Sequence, residues 1–154
     1  MKPRLADPVH LLAAGFGSGL SPKAPGTAGT LAAVPLYLLM APLPLPLYLG
    51  LCAALFGLGV WVCGRAARDM GVHDHPGIVL DEMIGYLVTM TAAPPGVVWM
   101  VAGFVLFRCF DILKPWPVGA LDRRVEGGLG IMLDDLVAGF MALGLLQLAA
   151  AWWA

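Results

Sequence analysis

A chain of 154 residues with 60% hydrophobic and 12% charged side chains cannot coat a globule with charge. An average soluble domain carries about 25% charged residues, so lipid is the expected solvent for much of this surface. A net charge of −1 without a basic run argues against a nucleic-acid binder, and the length suits one domain, residues 1–154.

Taken in chain order, the segment "MKPRLADPVHLLAAGFGSG" starts basic, but its apolar part is short and broken by glycines, so no signal peptide is expected. "GFGSGLSPKAPGTAGT", residues 15–30, follows. Glycines there can expose successive amides as an anion-binding nest. Ser18, Ser21 and Thr27 add hydroxyl donors, and Lys23 adds a point charge suited to phosphate. A flexible connector is the alternative, and the spacing is not that of a P-loop.

Residues 24–64 hold no charged side chain and are too long for one span of about 20 residues. Prolines in "APLPLPL" cut the block, giving expected helices over 28–41 and 47–64 with a turn between. The polar block 65–82 contains "GVHDHPGIVLDE", in which His73 and His75 form a weak zinc pattern and a solvated loop is the plainer reading. Residues 83–107 are again uncharged, but Pro94, Pro95 and Gly96 form a strong stop at the centre. A hairpin of helices over 78–93 and 97–113 is preferred to a single span. A fifth helix is expected to begin near Asp134, with "EGGLG" as the turn before it and another candidate anion site. Cys52, Cys63 and Cys109 lie in or beside apolar runs without metal spacing and read as packing residues.

The expected fold is therefore all-α, a multi-pass membrane helical bundle of about four to five spans arranged as hairpins. Two hairpins bring the polar blocks 1–23, 65–82 and 108–135 to one membrane face. These blocks hold all 9 Lys and Arg residues, which puts that face in the cytoplasm by the positive-inside tendency.

The same topology gathers the acids. Asp81 and Glu82 fall in the first turn of the third helix, Asp111 in the last turn of the fourth, and Asp134 and Asp135 in the first turn of the fifth. Helix capping accounts for one acid at each helix start. It does not account for two acidic pairs, or for an aspartate at the unfavourable C-terminal end. Carboxylates crowded at a membrane repel one another without a cation, and an oxygen-only set suits a hard ion, Mg²⁺ before Ca²⁺. Arg108, three residues before Asp111, shares its helical face as a salt-bridge partner or phosphate ligand, and Trp116 in "KPWP" is placed as an interfacial anchor. A hard-metal cage beside cationic and glycine-rich anion sites fits a phosphorylated lipid headgroup. The aspartyl-phosphate, Cys-x5-Arg and CDP-alcohol phosphotransferase patterns are all absent.

Three stretches carry a resemblance: "GSGLSPKAPGTAGTLAAVPL" (17–36), "DMGVHDHPGIVLDEMIGYLVTM" (69–90) and "FVLFRCFDILKPWPVGALDRRVEGGLGIMLDDLVAGF" (104–140). In this order they resemble the phosphatidylglycerophosphatase A family. The resemblance implies an Mg²⁺-dependent enzyme of the bacterial inner membrane that removes the terminal phosphate of phosphatidylglycerophosphate. It also implies an all-helical bundle. The family's characteristic positions fall on Gly17, Gly19, Ser21, Pro22, Pro25, Gly26 and Thr27, then on Asp81, Glu82 and Gly85, then on Arg108, Asp111, Lys114, Pro115, Gly128, Gly130, Asp134 and Asp135. On this reading Asp81, Glu82, Asp134 and Asp135 hold one or two Mg²⁺ ions, and Asp111 is a further ligand or orients Arg108. Lys23, Arg108 and Lys114 neutralise phosphate oxygens. The competing reading is a small helical transporter whose carboxylates form a cation or proton site.

Overall fold

Prolines and glycines set where the helices start and stop. The computed structural model describes residues 5–71, 77–116, 118–119 and 127–153, and among these every regular element is helical. Helix α1 (Pro8–Ala13) is capped by Asp7, whose carboxylate accepts from the Val9 N–H at 2.9 Å. A single 3-10 turn, Ser18–Leu20, leads to α2 (Pro25–Met40), which starts on proline. Helix α3 (Leu45–Met70) begins after Pro44 and is closed by Gly71 in the left-handed region at φ 73°. Then come α4 (Leu80–Thr89) and α5 (Val97–Leu113), separated at Pro94, Pro95 and Gly96. Last is α6 (Gly127–Trp153).

The expected breaks after α2 and between α4 and α5 are present, so 83–107 is not one helix; α4 and α5 pack on each other as the second hairpin requires, whereas α2 packs chiefly on α4 and not on α3. The lengths differ from expectation in an informative way. At 1.5 Å per residue α3 and α6 are about 40 Å long, α2 and α5 about 25 Å, and α4 only about 15 Å. The hydrocarbon core is about 30 Å thick. Two helices, α3 and α6, are long and apolar enough to cross a membrane alone. Helix α4 is instead a half-helix buried along nearly its whole length, with α2, α3, α5 and α6 packed around it.

A half-helix ending among apolar neighbours leaves carbonyl groups to satisfy. Two side chains from other helices do so. The Gln147 Nε2 amide donates to Thr91 O and Ala92 O at 3.0 and 3.1 Å. The Tyr48 hydroxyl donates to Leu87 O. In the other direction, the Tyr86 hydroxyl of α4 donates to Met100 O of α5 at 3.1 Å. The outer faces of the bundle carry exposed Leu39, Trp61, Val98, Val101 and Leu148, a surface that suits lipid tails and not water.

Helix α6 starts earlier than expected. Gly127–Gly130, read as a turn, are helical, so Asp134 and Asp135 lie about two turns inside the helix and not at its cap. The cause is packing against α3. A Cβ at Gly128 would fall 1.8 Å from Val60 O and 2.9 Å from Gly64 N, so only glycine lets the two backbones meet. Glu126, His73 and His75 lie outside the described residues.

The chain order of contacts fixes two ends. Gly26 meets Glu82 and Arg108, Gly64 meets Gly128, and the Val79 N–H donates to Ala13 O, all at one end. At the other, Tyr37, Leu45 and Ala92 line one cavity, and Val97 and Trp153 another.

Candidate active site

Helices α4 and α6 run in the same direction and touch through glycine. A Cβ at Gly139 would lie 2.7 Å from Gly85 O, and one at Gly85 would lie 3.0 Å from Asp135 O. One turn further on, the Thr89 hydroxyl donates to Gly139 O at 3.3 Å. Each glycine sits four residues after an aspartate: Asp81 in "DEMIG" and Asp135 in "DLVAG". Bare backbones at that level bring the two carboxyls together one turn away.

Around that contact the acids form one group. Asp81, Glu82 and Asp135 each offer an oxygen, all within 4.8 Å of one another. Asp111 lies near enough to Asp135 for the two carboxyls to act on each other. Carboxylates this close need a shared proton or a cation between them. Asp135 is 2% exposed, and its Oδ1 is buried without a hydrogen-bond partner among the described residues. That orphaned oxygen, within a set of oxygen donors only, fits a hard divalent ion.

Two cations flank the acids. Arg108 contacts Asp111 closely through Nη1 and lies 3.7 Å from Glu82 Oε1. Lys114, in the left-handed conformation at φ 49° that ends α5, reaches Asp134 Oδ2 at 3.3 Å. Asp134 also accepts from the Asp135 N–H at 2.9 Å. The adjacent aspartates thus point to different partners, as a separation of about 100° requires: Asp135 joins the acid cluster, and Asp134 faces Lys114. Of the four residues expected to hold metal, Asp81, Glu82 and Asp135 converge, while Asp134 sits beside them.

The first turn of α2 closes the site from the opposite side. A Cβ on Gly26 would fall 2.8 Å from Glu82 Oε1 and 3.1 Å from both terminal nitrogens of Arg108. Ala24 at the N-cap makes no side-chain cap, so a positive helix end faces the Glu82–Arg108 pair. Thr27 is half-buried in that turn.

The glycine loop itself is organised otherwise than a nest. Backbone N–H groups from Gly15 to Ser21 all bond to carbonyls of nearby turns. The Ser18 hydroxyl donates to Gly15 O at 2.8 Å and the Ser21 hydroxyl to Lys23 O at 2.7 Å. Lys23 is exposed. The loop is a wound connector that aims α2, and the donors it presents to the acids come from the helix start.

Sequence reading passed over Gly139, Gln147 and His10. The repeated D-x-x-x-G pattern was available as a signal for the first; the other two have none. His10 is fully buried, with Nε2 3.0 Å from Asp69 Oδ2, and ties α1 to α3.

A family model described as phosphatidylglycerophosphatase A matches residues 11–150. The chain belongs to the phosphatidylglycerophosphatase A family. It is 50% identical to a phosphatidylglycerophosphatase A of Escherichia coli, over 97% of this chain and 88% of that protein. A phosphatidylglycerophosphatase A of Haemophilus influenzae is 46% identical over 90% and 86%. A Bacteroides thetaiotaomicron protein, provisionally named a phosphatidylinositol-3-phosphatase, is 39% identical over 90% and 91%. No solved structure matches. As a phosphatidylglycerophosphatase A family member the chain is a phosphatase, and the acid cluster lies on two of the stretches that carried the resemblance.

Proposed function

We propose that this chain hydrolyses the terminal phosphate monoester of phosphatidylglycerophosphate, giving phosphatidylglycerol and phosphate, with Mg²⁺ as cofactor. The observation that carries the reading is the meeting of Asp81, Glu82 and Asp135 beside Arg108 and the start of α2. Five buried or half-buried carboxylates face two cations, Arg108 and Lys114, so the site is short of positive charge, which a divalent ion restores.

The chain's own groups divide the work. Asp81, Glu82 and Asp135 would hold Mg²⁺, which when bound polarises a phosphate oxygen and lowers the pKa of a bound water. Arg108, Lys114 and the first turn of α2 neutralise the remaining phosphate oxygens, the main task in phosphoryl transfer. Asp111 positions Arg108 through their side-chain contact. Water adds to phosphorus, the bond from phosphorus to the lipid alcohol oxygen breaks, and that alcohol takes up a proton.

The enzyme would sit in the bacterial inner membrane as a multi-pass protein, with its site at the cytoplasmic face. Support comes from α3 and α6 as candidate spans and from the described basic residues Lys23, Arg65, Arg68, Arg108 and Lys114, which lie just before α2, in the last turns of α3 and at the end of α5. The transporter reading expects acids at mid-bilayer and gives Arg108 and the α2 start no task.

Purified protein supplied with phosphatidylglycerophosphate should release phosphate when Mg²⁺ is present, stop with a chelator, and recover when Mg²⁺ is restored. No release at any Mg²⁺ concentration would refute the proposal.

A further inference from the structure

The acids, the two cations and the α2 start account for a headgroup, but not for what lies below Arg108 on α5. Phe104, Val101 and Val97 precede Arg108 by four, seven and eleven residues, which places them within about 40° of it around the helix. With Met100, and with Leu31 and Val34 of α2, they line an apolar groove of about 280 Å³. No polar side chain is among those six. Its nearest lining residues to the site, Phe104 and Leu31, lie four and five residues along their helices from Arg108 and Gly26, which meet each other, and the groove continues away from the site.

We propose that this groove holds one acyl chain of the phospholipid whose phosphate binds at Arg108. The inference rests on the phosphatase reading and specifies how that site takes its substrate. Three features select the occupant. The walls are wholly apolar and the Arg108 cation lies one helical turn beyond them on α5, matching the polarity of a single anionic lipid read from tail to head. From Arg108 to Val97 the α5 stripe is about 16 Å long, about half of a 30 Å hydrocarbon core, so it matches one leaflet's chain. Walls from two helices, with Val34, Met100 and Phe104 only partly exposed, enclose a chain on two sides, which the convex outer face of α6 does not.

Val101 is 55% exposed, so Val101→Trp fills the groove without disturbing the core. Phosphate release is measured on dipalmitoyl and dihexanoyl phosphatidylglycerophosphate in detergent micelles. Val101→Trp should lower kcat/KM on the dipalmitoyl substrate by about tenfold, because the indole occupies the path along which the long chain must lie for its phosphate to reach the site, and leave the dihexanoyl value within about twofold. The control Leu148→Trp, at an outward position on α6, should leave both unchanged. Equal loss on both substrates, or no loss on the dipalmitoyl one, overturns the groove. Wild-type protein that cleaves neither substrate overturns the phosphatase reading instead, and photolabelling then tests the groove separately. Phosphatidic acid with a diazirine in one acyl chain, in phosphatidylcholine vesicles, should label peptides containing Val34, Val101 or Phe104, and excess dipalmitoyl phosphatidic acid should suppress it. Labelling centred on Phe56 and Phe140, which line a second apolar cavity between α3 and α6, or labelling indifferent to the competitor, overturns it.

Discussion

Gly128→Ala is the sharpest test of how the fold holds the site. The added methyl would start 1.8 Å from the Val60 carbonyl oxygen on α3. Carbon–oxygen contacts settle at about 3.3–3.6 Å, so α3 and α6 must separate by about 1.5 Å there. The obstacle is backbone on a long helix and cannot rotate away. Overpacking of this kind costs about 1–3 kcal/mol, which for a chain of this size lowers Tm by roughly 2–12 °C. Asp135 lies seven residues further along α6, about 10 Å, so the displacement reaches the acid cluster and activity should fall as well. Gly144→Ala is the matched control. It makes the same change on the same helix, with nothing within 4 Å of the new Cβ, and should gain about 0.5–1 kcal/mol from helix propensity. Thermal unfolding of both variants in one detergent reads the comparison. Equal Tm changes of the same sign would refute the claim that glycine is required by the α3–α6 contact.

The adjacent aspartates should separate on substitution. Asp135→Asn should lower turnover by roughly 10²–10³ and weaken Mg²⁺ binding measured by calorimetry. Asp134→Asn should cost less than about tenfold, because Asp134 sits beside the acid cluster and pairs with Lys114; equal effects of the two Asn variants would count against the division of roles. Gln147→Leu strips the Thr91 and Ala92 carbonyls of their donor, so stability should drop by about 1–3 kcal/mol in thermal unfolding with kcat nearly retained. In a variant with Cys52, Cys63 and Cys109 replaced, Arg68→Cys and Trp116→Cys should react with an impermeant maleimide from one side of the membrane and Pro95→Cys from the other; reaction of all three from one side would refute the hairpin arrangement.

Helix punctuation was legible where proline and glycine act locally: Pro44, Pro95 and Gly96 mark breaks that need no partner to explain them, whereas the helix expected to stop at residue 64 runs on to Met70 and ends at Gly71. Element lengths were less legible. Helix α4 was expected to run to residue 93 and ends at Thr89, since Gln147 and Tyr48 supply donors from distant sequence that make an early end tolerable. The start of α6 was misread for a related reason. Three glycines in four residues look like a turn until Val60 and Gly64 of α3 are seen to need a helix without side chains there. Within the candidate site, residue types and their face were readable and pairings were not. That Asp134 faces Lys114 while Asp135 faces Asp81 depends on helical phase, and phase depends on where α6 begins.

Helix α6 links both ends of α4, and this explains why a half-helix carries two of the acids. At the site end Asp135 lies against Asp81, and at the inner end Gln147 holds the carbonyls that α4 leaves open. Gly139 sets the separation between them. From Asp135 to Gln147 is about 18 Å of helix and from Asp81 to Thr91 about 15 Å, so one straight helix meets the other at three levels. A full-length span in place of α4 would have no reason to stop, and its depth could slide with lipid thickness. A short helix pinned at both ends cannot slide against α6, so the Asp81–Asp135 separation is set by protein contacts. That predicts an Mg²⁺ affinity that Gln147→Leu weakens from a distance, although Gln147 touches no acid; affinity equal to wild type in that variant would show that the glycine contact alone fixes the site.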